Sequence, residues 1–176
     1  MKEEKKEVRI NSFFLAMLLL VFTLGACADH QLYHQFCPTP ISGWAKTDTL
    51  LYEFKQINSR LDKVILNIQI RNSTQYPYTD LFVLCQENLS DTLNISSDTI
   101  QIKLMTEDGT WKGDGWGYLF QHSLYYKEIR NLQINTNSFL KITPLMQDSI
   151  LHGIESIGIE LIHSGDVLGQ HQVSKK

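Results

Sequence analysis

Residues 63–71, KVILNIQIR, decide the fold. Val64, Leu66, Ile68 and Ile70 fall on one side of an extended chain, and Ile65, Asn67, Gln69 and Arg71 on the other. Successive side chains of a strand point to opposite faces, so a period of two with one wholly apolar side predicts a strand buried on one face. The same alternation recurs on both sides of this stretch. Upstream, from Trp44, Leu50, Tyr52 and Phe54 alternate with Leu51, Glu53 and Lys55. Downstream, 72–80 (NSTQYPYTD) is turn chemistry, and Pro77 removes the donor a central strand would need.

An apolar strand is predicted over 81–86 and a polar loop over 87–97; then Ile100, Ile102 and Leu104 alternate with Gln101, Lys103 and Met105. The segment 107–117 (EDGTWKGDGWG) carries an Asp-Gly hairpin signal followed by glycines that tolerate positive φ. Less regular strands are expected at Ile129–Ile134 and Phe139–Thr143, a short helical turn over Leu145–Leu151, and a last strand at Ile154–Ile162. Seven or eight short strands with turns between them, little helix and no internal repeat predict an all-β fold. The expected architecture is a single antiparallel β-sandwich or jelly-roll-like domain over residues 44–163, followed by a polar tail at 164–176.

The N-terminus has a different character. Residues 13–27, FFLAMLLLVFTLGAC, follow the mixed-charge MKEEKKEVR and end in Leu24-Gly25-Ala26-Cys27. The apolar run is too short to span a bilayer, which takes about 20 residues, and has the length of a secretory signal core. Leu24-Gly25-Ala26-Cys27 looks like a bacterial lipobox, in which the cysteine is lipidated and the signal cut before it. The expectation is a cleaved signal peptide at 1–26 and a lipidated tether over 27–43 that starts at Cys27. An ordinary signal peptide followed by an incidental cysteine is the alternative.

Charge and cysteines narrow the function classes. The chain has net charge −3, and the signal segment holds four basic and three acidic residues, leaving the rest near −4. A mildly acidic chain without a basic run argues against nucleic acid as a partner. Membrane attachment falls to the lipid instead, through more than the single chain that gives only marginal binding. Cys37 and Cys85 remain, either as a disulfide in an oxidising compartment or with Cys85 as a small buried hydrophobe.

No catalytic constellation emerges: GxSxG, HExxH and P-loop patterns are absent from the sequence. No cofactor site and no metal set are expected. His30 and His34 lack a third ligand nearby, and Glu107, Asp108 and Asp114 match no EF-hand spacing. Trp111, Trp116 and Tyr118 are a candidate aromatic platform for sugar or protein, against the commoner reading of strand aromatics as core. Asp48-Thr49-Leu50, Asp91-Thr92-Leu93, Asp98-Thr99-Ile100 and Asp148-Ser149-Ile150 each read Asp, hydroxyl residue, aliphatic. This looks like the O-glycosylation acceptor of exported Bacteroidetes proteins, and Thr49, Thr92, Thr99 and Ser149 are the candidate sites. Turn closure before a strand is the alternative.

Taken in order, the motifs resemble the gliding motility lipoprotein GldH family of Bacteroidetes. The resemblance runs through the lipobox, Gly43-Trp44, the Leu50–Phe54 strand, Ile70-Arg71-Asn72 and Tyr76-Pro77-Tyr78-Thr79-Asp80-Leu81. It continues through Asp98-Thr99, Leu104, Asp108–Gly115, Leu145-Met146 and Leu151–Ile159. Asp80 stands where the family tends to have Asn, and Met146-Gln147 where it tends to have Met-Arg. The resemblance implies a role in gliding, a link to type IX secretion machinery, envelope proteins as partners, and no enzymatic activity or cofactor. The residues themselves suggest that Arg71 pairs with Asp80 and that Trp44 and Trp111 fill the ends of a sandwich. The expected protein is a non-enzymatic envelope lipoprotein, on the outer rather than the inner membrane, acting as an accessory or scaffold. A surface module that binds glycan or protein through an aromatic patch is the rival.

Overall fold

A computed structural model describes residues 31–54, 61–89 and 94–164. The signal segment, Cys27, Thr92 and most of the tail lie outside the described residues. The described chain forms β1 (Gln31–Pro38), β2 (Trp44–Ala45), β3 (Leu50–Glu53), β4 (Leu61–Ser73), β5 (Asp80–Glu87) and β6 (Ser96–Lys103). It goes on through β7 (Asp114–Trp116), β8 (Leu119–Leu132), β9 (Phe139–Pro144), β10 (Ile150–Leu151) and β11 (Ile154–His163). A five-stranded sheet has the order β1-β11-β4-β8-β7, a four-stranded sheet the order β3-β9-β5-β6, and β10 pairs with β2. All pairings are antiparallel. The expected β-sandwich is what the chain builds.

β4 sits at the centre of the larger sheet, between β11 and β8. Val64, Leu66, Ile68 and Ile70 are fully buried and face Ile157, Ile159 and Leu161 of β11 in the same layer. From the smaller sheet Tyr52, Leu81, Val83, Cys85, Ile102, Leu140 and Ile142 close on them. Each aliphatic side chain so buried contributes about 1.5–3 kcal/mol. Three side chains tie the sheets together across this core. Tyr52 Oη donates to the Ile157 carbonyl at 2.8 Å, and Tyr126 Oη donates to Asp98 Oδ2 at 2.6 Å. Lys127 of β8 pairs with Glu87 of β5, whose side chain is fully buried.

The structure departs from the sequence reading in four places. Gln31–Pro38, expected within a tether, is an edge strand paired with β11 from Gln31↔Ile162 to Pro38↔Ser156. β8 begins at Leu119, well before the strand expected at Ile129. Its register shifts opposite Leu66/Asn67, and that bulge turns Lys127 inward and breaks the period of two. Residues 145–149 form no helical turn; the chain bends there into β10. Arg71 does not pair with Asp80: its Nε donates to Gln121 Oε1 at 2.8 Å, and its guanidinium lies 3.7 Å over the Phe36 ring. Of the two readings left open for the cysteines, the structure has free thiols with Cys85 buried. Cys37 lies on β1 opposite Ile157, while Cys85 lies in the other sheet between Asp98 and Ile142, so they belong to different layers.

Candidate functional site

The strands of both sheets turn at two ends. One end holds the start of β1 at Gln31, the end of β11 and the 132–139 connection. The other holds the 38–50 and 73–80 connections, the stretch from Lys103 to Leu119, and 144–154. The candidate site is at this second end. Two turns build it from a glycine-rich sequence.

The first turn closes on Asp108-Gly109. Thr106 N donates to the Thr110 carbonyl at 2.8 Å, and Asp108 takes the Thr106 hydroxyl. That hydrogen bond, with the Thr110 amide, holds the Asp108 carboxyl below the usual carboxylate range. Asp108 therefore serves its own loop. The second turn, at Gly117-Tyr118, joins β7 to β8 and is the hairpin itself. Gly113 makes the crossing between the turns possible: its φ is +86°, and a Cβ there would lie 2.1 Å from the Gln121 carbonyl oxygen. Only glycine fits that approach.

These turns separate the three aromatics predicted as one platform. Trp111 is half-buried and stacks on Phe120, with centroids 5.5 Å apart and planes at 24°. It caps the end of the sandwich. Trp116 and Tyr118 point away, 94 % and 64 % exposed. Trp44 is fully buried, and its indole Nε1 donates to the Asp48 carbonyl at 3.1 Å. The chain's three tryptophans thus fall into three classes: core, cap and free surface. Ile41, Tyr78, Leu145 and Ile150 are also exposed at this end. A large apolar side chain in water is informative where several share one end.

From the hairpin, the outer face of the larger sheet continues in cross-strand rows. Trp116 stands beside Leu119; Asp114, Gln121, Arg71 and Ser156 form the next row. Phe36 follows, lying over Gly158, where a Cβ would come within 2.6 Å of its ring. Beyond it is an amide network centred on Glu160. Gln31, Asn67 and Gln69 donate to its carboxylate at 2.6, 3.1 and 3.2 Å, and His34 Nε2 lies 2.9 Å from Gln69 Oε1. The sequence showed these residues only as the polar half of an alternation. Their convergence depends on β1, whose strand character its mixed polarity hides.

The remaining predicted residues are dispersed. Thr49, Thr99 and Ser149 are exposed. Thr99 shares a row with Leu84 and Thr143 on the outer face of the smaller sheet, and Thr49 Oγ1 lies 2.9 Å from Thr143 Oγ1. Two of the preceding aspartates are engaged by tyrosines: Asp98 by Tyr126 at 2.6 Å and Asp148 by Tyr78 at 2.7 Å. Burial pushes the Cys85 thiol up to about 12. Among the described residues, no three His, Cys, Asp or Glu side chains converge as a metal set would. His34 Nε2 lies against Gln69 Oε1, and Asp114 stands exposed in the hairpin row opposite Gln121.

Comparison with known proteins adds a family. The profile of the GldH lipoprotein family matches residues 31–161. The chain is 26 % identical over 132 residues to a gliding motility lipoprotein GldH homolog of Christiangramia forsetii, covering 73 % of this chain and 77 % of that one. It is 26 % identical over 113 residues to gliding motility lipoprotein GldH of Flavobacterium johnsoniae, covering 64 % and 69 %. No solved structure matches it.

Proposed function

Because the chain belongs to the GldH lipoprotein family, we propose that it is a non-enzymatic accessory or scaffold component of a gliding or type IX secretion assembly in the cell envelope. Its anchor is lipid on Cys27 after removal of residues 1–26, and its membrane is the outer one. It meets an envelope protein through the β7–β8 hairpin. The relatives named above are motility lipoproteins, which supplies the process. The observation that carries the contact is the hairpin: the same segment that packs Trp111 onto Phe120 leaves Trp116 94 % exposed. Aromatic side chains left in water on a rigid turn suit the buried centre of a protein interface.

The test is crosslinking and pull-down from native envelopes with the wild type, Cys27→Ala and Trp116→Ala/Tyr118→Ala. Co-purifying motility or secretion components are expected with the wild type and lost with either variant. Recovery of the protein alone from wild-type envelopes would falsify the assembly role. A second reading has its own observation. The amide face around Glu160, flanked by Phe36 and Tyr125, has the mix of hydrogen-bonding groups and rings that sugars require, which supports a surface glycan-binding module. Glycan-array binding abolished by Asn67→Ala would favour it. O-glycosylation at Thr49, Thr92, Thr99 and Ser149 is part of the proposal, and an intact mass equal to the bare lipidated polypeptide would remove it.

A further inference from the structure

We propose that the domain stands end-on against a lipid surface, with the Gln31 end down and the Trp116–Tyr118 hairpin held about 40 Å away from the bilayer. This rests on the lipid anchor at Cys27 proposed above. Three residues, and so four residue steps, separate Cys27 from Gln31, and Gln31 is already in register with Ile162 of β11. A chain of four residues spans at most about 14 Å whatever its course. The domain therefore has no long leash; β1 brings the anchor to one end of the sandwich.

The strands then measure the height. Through Ile162, Gln31 stands level with Ile65, and the 13-residue β4 runs from Leu61, below that level, to Ser73 at the other end. At about 3.3 Å per residue it reaches ~40 Å. The turn after β4 meets the hairpin directly, with Thr74 N donating to the Tyr118 carbonyl at 3.0 Å. Trp116 and Tyr118 accordingly sit at the full height of the sandwich.

The two ends differ in chemistry as this orientation requires. Around the 132–139 connection the exposed side chains are uncharged and polar: Gln133, Thr136 and Asn137. Near them Lys63 and Arg130 are balanced by Asp62 and Glu128, with Arg130 Nε 2.9 Å from Glu128 Oε1. Among the described residues around this connection the charges balance, which leaves anionic headgroups little to repel. Ile95 is exposed at this end, but Ile41, Tyr78, Trp116, Tyr118, Leu145 and Ile150 gather at the opposite one, where a protein partner can reach them.

The test uses full-length lipidated protein in vesicles of phosphatidylethanolamine and phosphatidylglycerol that carry a headgroup-linked energy acceptor. Donor dye is placed on Asn137→Cys or Tyr118→Cys in a Cys37→Ser background, with Thr136→Cys and Trp116→Cys as a second pair. Burial keeps Cys85 out of the labelling reaction. Transfer from position 137 is expected to exceed that from 118 by at least about fivefold, given the ~40 Å between the ends. About 20 Gly/Ser residues inserted between Asp29 and His30 should erase the difference, because a flexible coil of that length spans about 25 Å. Equal transfer from both positions in the native-length chain, or stronger transfer from 118, overturns the orientation. Vesicle flotation reads the anchor separately: protein that fails to float overturns the lipid attachment and the orientation with it.

Discussion

Residues 61–73 and 107–119 are equally long stretches of one domain, and opposite rules build them. In β4 the side chains alternate between a sealed core and a hydrogen-bonded outer face, and packing on both sides sets every position. In 107–119 almost every residue is exposed, and two turns and a glycine set the path. Apolar residues in the first stretch hold the protein together. The Trp116 and Tyr118 side chains in the second are left in solvent. Their exposure is what the proposed partner contact rests on.

The sharpest way to break this contrast is to cut into the strand. Ile68→Ala should cost about 2–5 kcal/mol, read as a lower urea midpoint at unchanged slope. Lys127→Met leaves the buried Glu87 carboxylate without its ammonium partner and should cost about 3 kcal/mol in the same experiment. Gly113→Ala asks whether the loop contains any position on which folding depends. The positive φ and the Gln121 carbonyl both oppose a Cβ, so a loss of about 1–3 kcal/mol is expected there.

A pH titration sharpens the comparison at the strand that borders both regions. Burial, reinforced by Lys112, holds His122 below its ordinary value of 6.5. The unfolded chain therefore binds more protons below about pH 6.5, and stability falls as pH falls through that range. His122→Gln should flatten this acid limb of the denaturation midpoint. The smallest effect is expected at the hairpin tip: Trp116→Ala/Tyr118→Ala should stay within about 0.5 kcal/mol of wild type. A larger loss would mean that the tip is structural.

How much of this was legible depends on where each residue's neighbours lie. Ile154–His163 and Leu61–Ser73 could be read because burial of one face writes a period of two into the chain. β1 could not. Its Phe36 is outside, held between Gly158 and Arg71, while polar Gln35 shares the opposite face with Cys37, so no face of Gln31–Pro38 looks apolar. β8 was half-hidden for a different reason. The bulge opposite Leu66/Asn67 shifts its phase, and the Lys127 it turns inward finds its partner in another sheet.

The candidate site followed the same logic. Trp111, Trp116 and Tyr118 were visible as aromatics, but local sequence does not say which of two tryptophans five positions apart meets Phe120. Nor does it say that Glu160 would gather Gln31, Asn67 and Gln69, since that carboxylate lies some 90 to 130 residues from its donors.

β1 also decides how the molecule bears force. In the orientation proposed above, a pull between a lipid at its N-terminal side and a partner on the hairpin would act along the strands, dragging β1 one way and β11 the other. The ladder from Gln31↔Ile162 to Pro38↔Ser156 is then loaded in shear, with its hydrogen bonds resisting together. Unzipping would take them singly. With the anchor and partner placed as proposed, the domain would act as a mechanical coupling, stiff along the axis of the pull.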